Sequence, residues 1–269
     1  MELELPRDAS PELRQLVEQY RADIEATIQP YVEITLHAQP NLSLWQSKLG
    51  GEPYFPKGVE YPKGLDDTEL QFLAQINFSE IPQLPFFPQS GILQFYTSEL
   101  DDMYGMSSDD LRVGGNSSVI YFADIEADPT KLVTDFSFLP EFGYGPVAKP
   151  AAMHFNRKLA PISSGDYRFE RCFGSLLEQI DAESNEELLR EFEEWVGSGW
   201  GHKIGGYPGF TQTDPRDPRR HFWYDCLLLQ MDSDEFIMWG DSGIGNFFIN
   251  SGALEELDFS NVLFTWDCC

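Results

Sequence analysis

Ser242 and His154 are the residues whose types would suit nucleophilic catalysis. Ser242 lies in Gly240-Asp241-Ser242-Gly243, a segment of the form found around nucleophilic serines, and histidine is the usual base that activates such a serine. The segment continues as Ile244-Gly245, without the Gly-Pro of trypsin-like proteases, and His154 stands in the other half of the chain. Because a triad is defined by geometry, these fragments do not predict one. We interpret residues 240–243 as a tight turn in which Asp241 accepts backbone N–H groups.

Two glycine pairs would suit a close approach of the backbone to a phosphate group. They are Gly50-Gly51-x-Pro53 and Gly205-Gly206-x-Pro208. A phosphate loop needs GxxxxGK[ST], or GxGxxG between a strand and a helix, and neither pattern is present. The two segments therefore predict chain reversals, since glycine accepts positive φ and proline extends the segment that follows.

The densest basic patch is Arg216, Arg219 and Arg220, which lies in a polar loop. These side chains would suit a carboxylate or phosphate ligand. They would equally be satisfied by the neighbouring Asp214 and Asp217, and we favour this second interpretation.

The histidines and cysteines show no spacing typical of a metal site or a disulfide framework, so we predict neither a metal nor a cofactor. The cysteines are expected to be free thiols. The residues concerned are His37, His154, His202, His221, Cys172, Cys226, Cys268 and Cys269.

Gln75 and Gln230 are polar residues inside the apolar runs FLAQI and LLLQM. A buried amide must find hydrogen-bond partners. Those partners are either neighbouring backbone groups or a ligand at a groove, and we favour the structural role.

The composition gives a chain of 269 residues with 42% hydrophobic residues and a formal net charge of −27. Such a charge repels phosphate backbones and anionic lipid, which argues against nucleic-acid and membrane partners and favours a basic protein partner. It would also serve solubility alone. The opening MELELPRDAS does not resemble a signal peptide, and no apolar run approaches the roughly 20 residues of a membrane span. We therefore expect a cytoplasmic protein.

Two helices are indicated by capping residues and helical spacing of apolar residues. The first follows Ser10-Pro11 and stops at Pro30, and the second begins at Ser184 and ends at Gly197. Short aromatic and β-branched runs predict strands between turn residues. These runs are residues 71–77, 91–97, 118–124, 226–232, 235–239, 245–250 and 261–266.

The two halves of the chain share four elements in one order. In each half a glycine pair precedes a strand glutamine by 24 residues, from Gly51 to Gln75 and from Gly206 to Gln230. A glycine-led aromatic strand and a third apolar strand follow in both halves. The pattern predicts one domain over residues 1–269, with internal repeats at about 45–126 and 200–269. A connector at about 128–165 and the helix at 184–197 lie between the repeats.

The predicted fold class is α+β: two related halves, each a helix plus mainly antiparallel strands, packed as one pseudo-symmetric globular unit. The alternative to an internal duplication is two similar β-meanders that arose independently.

Several segments resemble those of the YwqG-like bacterial family, a domain of unknown function. The resemblance covers roughly residues 45–269 and is most specific in the C-terminal third. Its segments are residues 50–53, 72–77, 91–96, 201–208, 212–216, 228–232, 238–243, 246–249 and 266–268. This family is more distantly similar to the duplicated module of programmed-cell-death-type ribosomal-protein chaperones. The resemblance implies protein binding, either chaperone-like or toxin-immunity-like, and supplies no catalytic residues.

We therefore predict a non-enzymatic, acidic module that binds a basic protein or peptide. The alternative is a hydrolase with an unrecognised acidic or metal site. The predicted contact residues combine distinctive aromatic and polar groups. They are Tyr207, Gln212, Asp214, Trp239, Asp241 and Trp266.

Overall fold

A computed structural model describes residues 5–99, 102–107, 111–112, 115–182, 184–216, 219 and 221–269. Its elements in chain order are α1 (Pro11–Gln19), α2 (Arg21–Ala26), β1 (Gln29–His37), β2 (Lys48–Leu49), β3 (Gln71–Asn77), β4 (Ile92–Thr97), β5 (Ser117–Phe122), β6 (Ala151–Ala160), α3 (Phe169–Ala182), α4 (Glu186–Val196), β7 (Lys203–Gly205), β8 (Cys226–Asp232), β9 (Ile244–Ile249), α5 (Ser251–Glu255) and β10 (Leu263–Asp267). Single 3-10 turns lie at Phe78–Glu80 and Pro129–Lys131.

The ten strands form one sheet in the order β10-β9-β8-β7-β1-β6-β2-β3-β4-β5, and each neighbouring pair is antiparallel. The centre is the long ladder of β1 with β6, which pairs all nine residues of β1, from Gln29↔Ala160 to His37↔Ala152. These two strands join the elements on either side into one continuous sheet.

The sheet curls until its two ends approach each other. Phe95 of β4 and Phe247 of β9 lie on opposite sides of the sheet order, yet their ring centroids are 4.8 Å apart. The Phe264 N–H of the edge strand β10 donates to the Leu111 carbonyl at 2.7 Å. The inner face of the curled sheet holds the main core, where aromatic and branched side chains from β1, β3, β4, β8, β9 and β10 are buried together.

The helices α1 to α4 form a separate layer with its own apolar cluster. Ser10 caps α1 as predicted, since its side chain accepts a hydrogen bond from the Leu13 N–H at 3.0 Å. The Ser10 hydroxyl also donates to Glu191 of α4, which ties the first helix to the fourth.

The predicted fold class was wrong. The chain is not an α+β protein of two helix-plus-strand units in a pseudo-symmetric arrangement. It is mainly β, with one antiparallel sheet curled almost closed and about 20% of residues helical. The physical reason lies in β1 and β6, which were not predicted: they merge the strands into one sheet, while the helices pack on each other rather than one on each half.

Several element boundaries also differ from the prediction. Residues 235–239 are not a strand, and the segment treated as a connector contains β6. The helix predicted to begin at Ser184 begins at Glu186, because Ser184 has a left-handed φ of 51° and Asn185 accepts the capping hydrogen bond from Leu188 N–H. The strand predicted at 226–232 was confirmed.

Among the described residues, none of the helices has both the length and the apolar character that crossing a membrane requires.

Candidate functional site

The two Gly-Gly-x-Pro segments are chain reversals, as predicted. Gly50 and Gly51 have φ of 57° and 75°, and Gly205 and Gly206 have φ of 72° and 67°. Residues with a side chain rarely adopt this left-handed backbone conformation. Space is also limiting, since a Cβ on Gly50 would lie 2.8 Å from the side chain of Val147. The glycines are therefore required by the chain reversals themselves.

Gln75 is a structural clamp. It is fully buried; its Nε2 donates to the carbonyls of Leu44 at 2.7 Å and Gln46 at 2.8 Å, and its Oε1 accepts from the Tyr54 N–H at 2.9 Å. One amide thus holds two loops against β3. The structural interpretation of this glutamine was correct.

Gln230 does the same at the other glycine pair. Its Nε2 donates to the carbonyls of Gly199 at 2.8 Å and Gly201 at 2.7 Å, and its Oε1 accepts from the Gly209 N–H at 2.8 Å. It is also fully buried and does not line a groove. Both glutamines fix the loops that flank a Gly-Gly-x-Pro turn.

Replacing either clamp by leucine is expected to lower the free energy of unfolding by about 2 kcal/mol, because buried backbone N–H and C=O groups lose a hydrogen-bond partner. Urea unfolding of Gln75→Leu and Gln230→Leu measures this, with the exposed Gln39→Leu as the matched control. A loss below about 0.5 kcal/mol in both clamp variants would contradict the structural role.

Two buried lysines lie beside the clamps. Lys48 pairs with Gln75 across β2 and β3, and Lys203 pairs with Gln230 across β7 and β8. The Lys48 ammonium donates to the Ser43 carbonyl at 2.7 Å, and the Lys203 ammonium donates to the carbonyls of Gly199 and Tyr207. Burial lowers the pKa of each of these lysines to about 8.

Arg216 lies at the centre of a buried ion-pair network. Its guanidinium contacts Asp214 at 2.6 Å and Asp166 at 3.1 Å, and the three side chains are at most 3% exposed. Asp166 also pairs with Arg168 at 2.7 Å. Burial alone would raise the pKa of Asp166, but the hydrogen bond from Arg168 and the charges of both arginines outweigh it and lower that pKa.

This network confirms that Arg216 is satisfied within the protein, by Asp214 as predicted and by Asp166 in addition. It fastens the loop that carries Asp214 to the segment that leads into α3. Arg220 of the predicted basic patch and its predicted acidic neighbour Asp217 lie outside the described residues.

A groove of about 690 Å³ opens beside this network, between α3, α4 and the two fastened loops. Its apolar floor is formed by Phe169, Leu177, Ile180 and Leu189. Phe169 and Ile180 are buried, whereas Leu177 and Leu189 remain half-buried. The groove therefore presents apolar surface that a ligand can cover.

The polar part of the groove is acidic. Besides the paired Asp166 and Asp214, it is lined by four carboxylates, for which the described part of the chain supplies no basic partner. These four are Glu170, Asp181, Glu186 and Glu193. Partial burial raises the pKa of Glu193, as expected for a carboxylate that lacks a neighbouring cation. The groove therefore suits a cationic group attached to an apolar one.

Two of the six predicted contact residues, Gln212 and Asp214, line this groove. Gln212 is also bound to the C-terminal strand, since its N–H donates to Asp267 at 2.7 Å and its Nε2 donates to the Cys268 carbonyl at 2.6 Å. Asp214 accepts from the Tyr167 N–H at 3.1 Å in addition to its pairing with Arg216. A contact of Gln212 and Asp214 with a partner stays a prediction.

The other four predicted residues lie elsewhere. Tyr207 is buried and its hydroxyl donates to the Thr27 carbonyl at 2.6 Å. Trp239 is fully buried, and the half-buried Trp266 stacks on it at 6.2 Å. A contact with a partner through these residues stays a prediction.

Asp241 is exposed, and its expected role as a turn cap is not found. The turn is closed by the backbone, where the Gly243 N–H donates to the Trp239 carbonyl at 2.7 Å. Within the described ranges, the structure gives no hydrogen bond to the Asp241 carboxylate.

The groove itself was missed because α3 was not predicted. Its signal was present: Phe169, Phe173, Leu176 and Ile180 follow helical spacing, and Asp166 stands shortly before them.

The comparisons with known proteins give a family and no activity. A search of the curated proteins finds no match for this chain. The family model DUF1963, described as a domain of unknown function, matches residues 47–268. This range includes the whole groove and both glutamine clamps. The chain therefore belongs to the DUF1963 family.

Proposed function

We propose that this protein binds a basic, amphipathic segment of a partner protein in the groove between α3 and α4. The observation that carries the proposal is the pairing of an apolar floor with four carboxylates that have no described basic partner. Lysine or arginine side chains of the segment would meet these carboxylates, and its apolar side chains would cover Leu177 and Leu189.

The two kinds of contact would contribute differently. An exposed ion pair stabilises by only about 0.2–1 kcal/mol, so the four carboxylates would mainly select and orient the partner. Most of the affinity would come from apolar side chains buried on the floor. The net charge of −27 would speed the approach of a basic partner at low ionic strength.

The walls of the groove suit this role because they are fixed before binding. The Arg216 network holds the loop of Asp214, and the Ser10–Glu191 contact holds α4 against α1. A preformed groove loses little conformational entropy when it binds. The resemblance to YwqG-like proteins and, more distantly, to ribosomal-protein chaperones points in the same direction, because ribosomal proteins are basic.

The test uses a variant in which the four groove carboxylates are neutralised. It combines Glu170→Gln, Asp181→Asn, Glu186→Gln and Glu193→Gln. The probe is a short fluorescent peptide of leucine and lysine with an amphipathic helical pattern. Its dissociation constant is measured by anisotropy at low and at physiological ionic strength. We expect the variant to bind about tenfold more weakly, the sum of several modest ion pairs.

The control is a variant with the same net charge whose exposed substitutions lie outside the groove. It combines Glu60→Gln, Glu141→Gln, Glu255→Gln and Glu256→Gln. We expect less than about a threefold loss here, from the long-range field alone. Equal losses in both variants would show that the peptide follows the overall charge, and would overturn the groove as the binding site.

A further inference from the structure

His37 and His154 form an exposed imidazole pair on the two central strands of the sheet, β1 and β6. Neither residue lines the groove. Thr35 is directly opposite His154 in the β1–β6 ladder, and His37 is opposite Ala152, so the two histidines are diagonal neighbours. Their ring centroids are 4.5 Å apart and the ring planes are inclined by 48°.

Both rings stand on the outer face of the sheet. The alternate residues of these strands, Ile34 and Leu36 on β1 and Met153 on β6, point into the core. Side chains alternate between the faces of a strand, which places Thr35, His37 and His154 together on the solvent side. All three are exposed, so a small ligand reaches the rings without any rearrangement.

The centroid spacing allows one metal ion to bind a nitrogen of each ring. A metal about 2 Å from an imidazole nitrogen lies about 3.2 Å from the ring centroid. Two centroids 4.5 Å apart then subtend an angle of about 90° at the ion. An angle near 90° suits the cis positions of a tetragonal Cu²⁺ or Ni²⁺ site better than the wider tetrahedral angle that Zn²⁺ prefers.

Two lysines lie on this face near the pair. On β6 itself, Lys158 is neutralised by Glu33 at 2.5 Å. On the neighbouring strand β2, Lys48 is opposite Ala152, the partner of His37, and its ammonium donates to the Ser43 carbonyl at 2.7 Å. The described residues contain no group of three or more His, Cys, Asp or Glu side chains arranged around an ion. The histidine pair would therefore supply two ligands and leave the remaining positions to water or to an external ligand.

We propose that His37 and His154 together bind one tetragonal divalent transition-metal ion, with Ni²⁺ as the probe. Ni²⁺ is chosen over Cu²⁺ because the exposed thiols of Cys172 and Cys269 would reduce Cu²⁺. The proposal concerns a site distinct from the groove and does not depend on the proposed function.

The experiment titrates the full chain with Ni²⁺ and follows the imidazole NMR signals together with the binding heat. The first equivalent is expected to broaden the signals of His37 and His154 before those of His202 and His221. His37→Ala and His154→Ala are each expected to weaken binding by at least about tenfold, since loss of even an indirect ligand contact costs that much. The double variant is expected to bind more weakly than either single variant, because the last imidazole ligand is then absent.

The matched control is His221→Ala, which keeps the pair and is expected to keep the affinity. Because both paired rings are exposed, the variants are expected to melt at the wild-type temperature. First-equivalent broadening at other residues, or an affinity unchanged by both single variants, would overturn the proposal.

Discussion

Arg216→Met is expected to lower the free energy of unfolding by about 3 to 5 kcal/mol, because it leaves two carboxylates buried without their shared cation. The Arg216 guanidinium touches both Asp166 and Asp214, and these side chains are essentially inaccessible to water. It also lies 4.1 Å above the ring of Phe248 and donates to the Tyr224 carbonyl. Thermal or urea unfolding measures the loss.

Two further variants separate charge from packing. Arg216→Met combined with Asp214→Asn is expected to recover part of the stability, since Asp214 is then neutral and Asp166 keeps its pairing with Arg168. Lys149→Met removes an ion pair with Glu235 whose side chains are 46% and 72% exposed, and is expected to change stability by less than about 1 kcal/mol. Similar effects of Arg216→Met and Lys149→Met would refute the network's structural role.

The second large effect concerns alkaline pH. Lys48 and Lys203 have pKa values of about 8 in the folded chain, against 10.5 for an ordinary lysine. Between these values the unfolded chain binds more protons than the folded chain, so stability rises with pH. Below pH 8 both states hold the protons and this contribution is constant. The full gain is on the order of 3 kcal/mol per lysine.

The effect of acidic neighbours is already contained in these pKa values, whereas other groups oppose the gain in stability. Glu52 and Glu80 partly counter the effect of burial at Lys48, as Asp232 and Glu33 do at Lys203. Above about pH 10, tyrosines ionise in the unfolded chain while buried ones stay neutral; burial raises the pKa of Tyr207 to about 12. Stability is therefore expected to pass through a maximum.

The comparison that isolates the lysines is wild type against Lys48→Met combined with Lys203→Met. The difference between their unfolding free energies is expected to grow from pH 8 to about pH 10.5 in favour of the wild type, because tyrosine effects are common to both chains. A difference that stays flat over this range would contradict the lowered pKa values.

Local structure was the part that sequence could supply. The glycine pairs, the cap at Ser10 and the strand of Gln230 each follow from a few adjacent residues, and each was confirmed. The buried glutamines were recognised because an amide among apolar residues must be satisfied. Their partners, such as Leu44 and Gly209, were not predictable because loops bring them there.

The arrangement of the strands in one sheet could not be predicted from the sequence. The strand β1 contains Pro30, Glu33 and His37, and β6 contains Arg157 and Lys158, so neither has the apolar character of the other strands. The outer faces of these strands meet solvent, which explains Glu33, His37 and Lys158. Once these two strands were missed, the remaining strands appeared as two separate units, and the predicted α+β fold followed.

Some residues of the groove could be recognised in the sequence, and others could not. Gln212 and Asp214 stood out because they lie in a distinctive polar loop, and they line the groove. Glu170 and Glu193 are ordinary glutamates among 45 acidic residues, and only the packing of α3 against α4 gives them a shared groove. The sequence therefore supplied the prediction of a basic partner, but not the groove that is proposed to bind it.

The most direct test of the central proposal is hydrogen–deuterium exchange with and without the leucine–lysine peptide at saturating concentration. We expect slower exchange in α3, in α4 and in the loops at 164–167 and 211–214, and unchanged exchange of the amides of β1 and β6. Protection spread evenly over acidic loops, or confined to a surface away from α3 and α4, would contradict it.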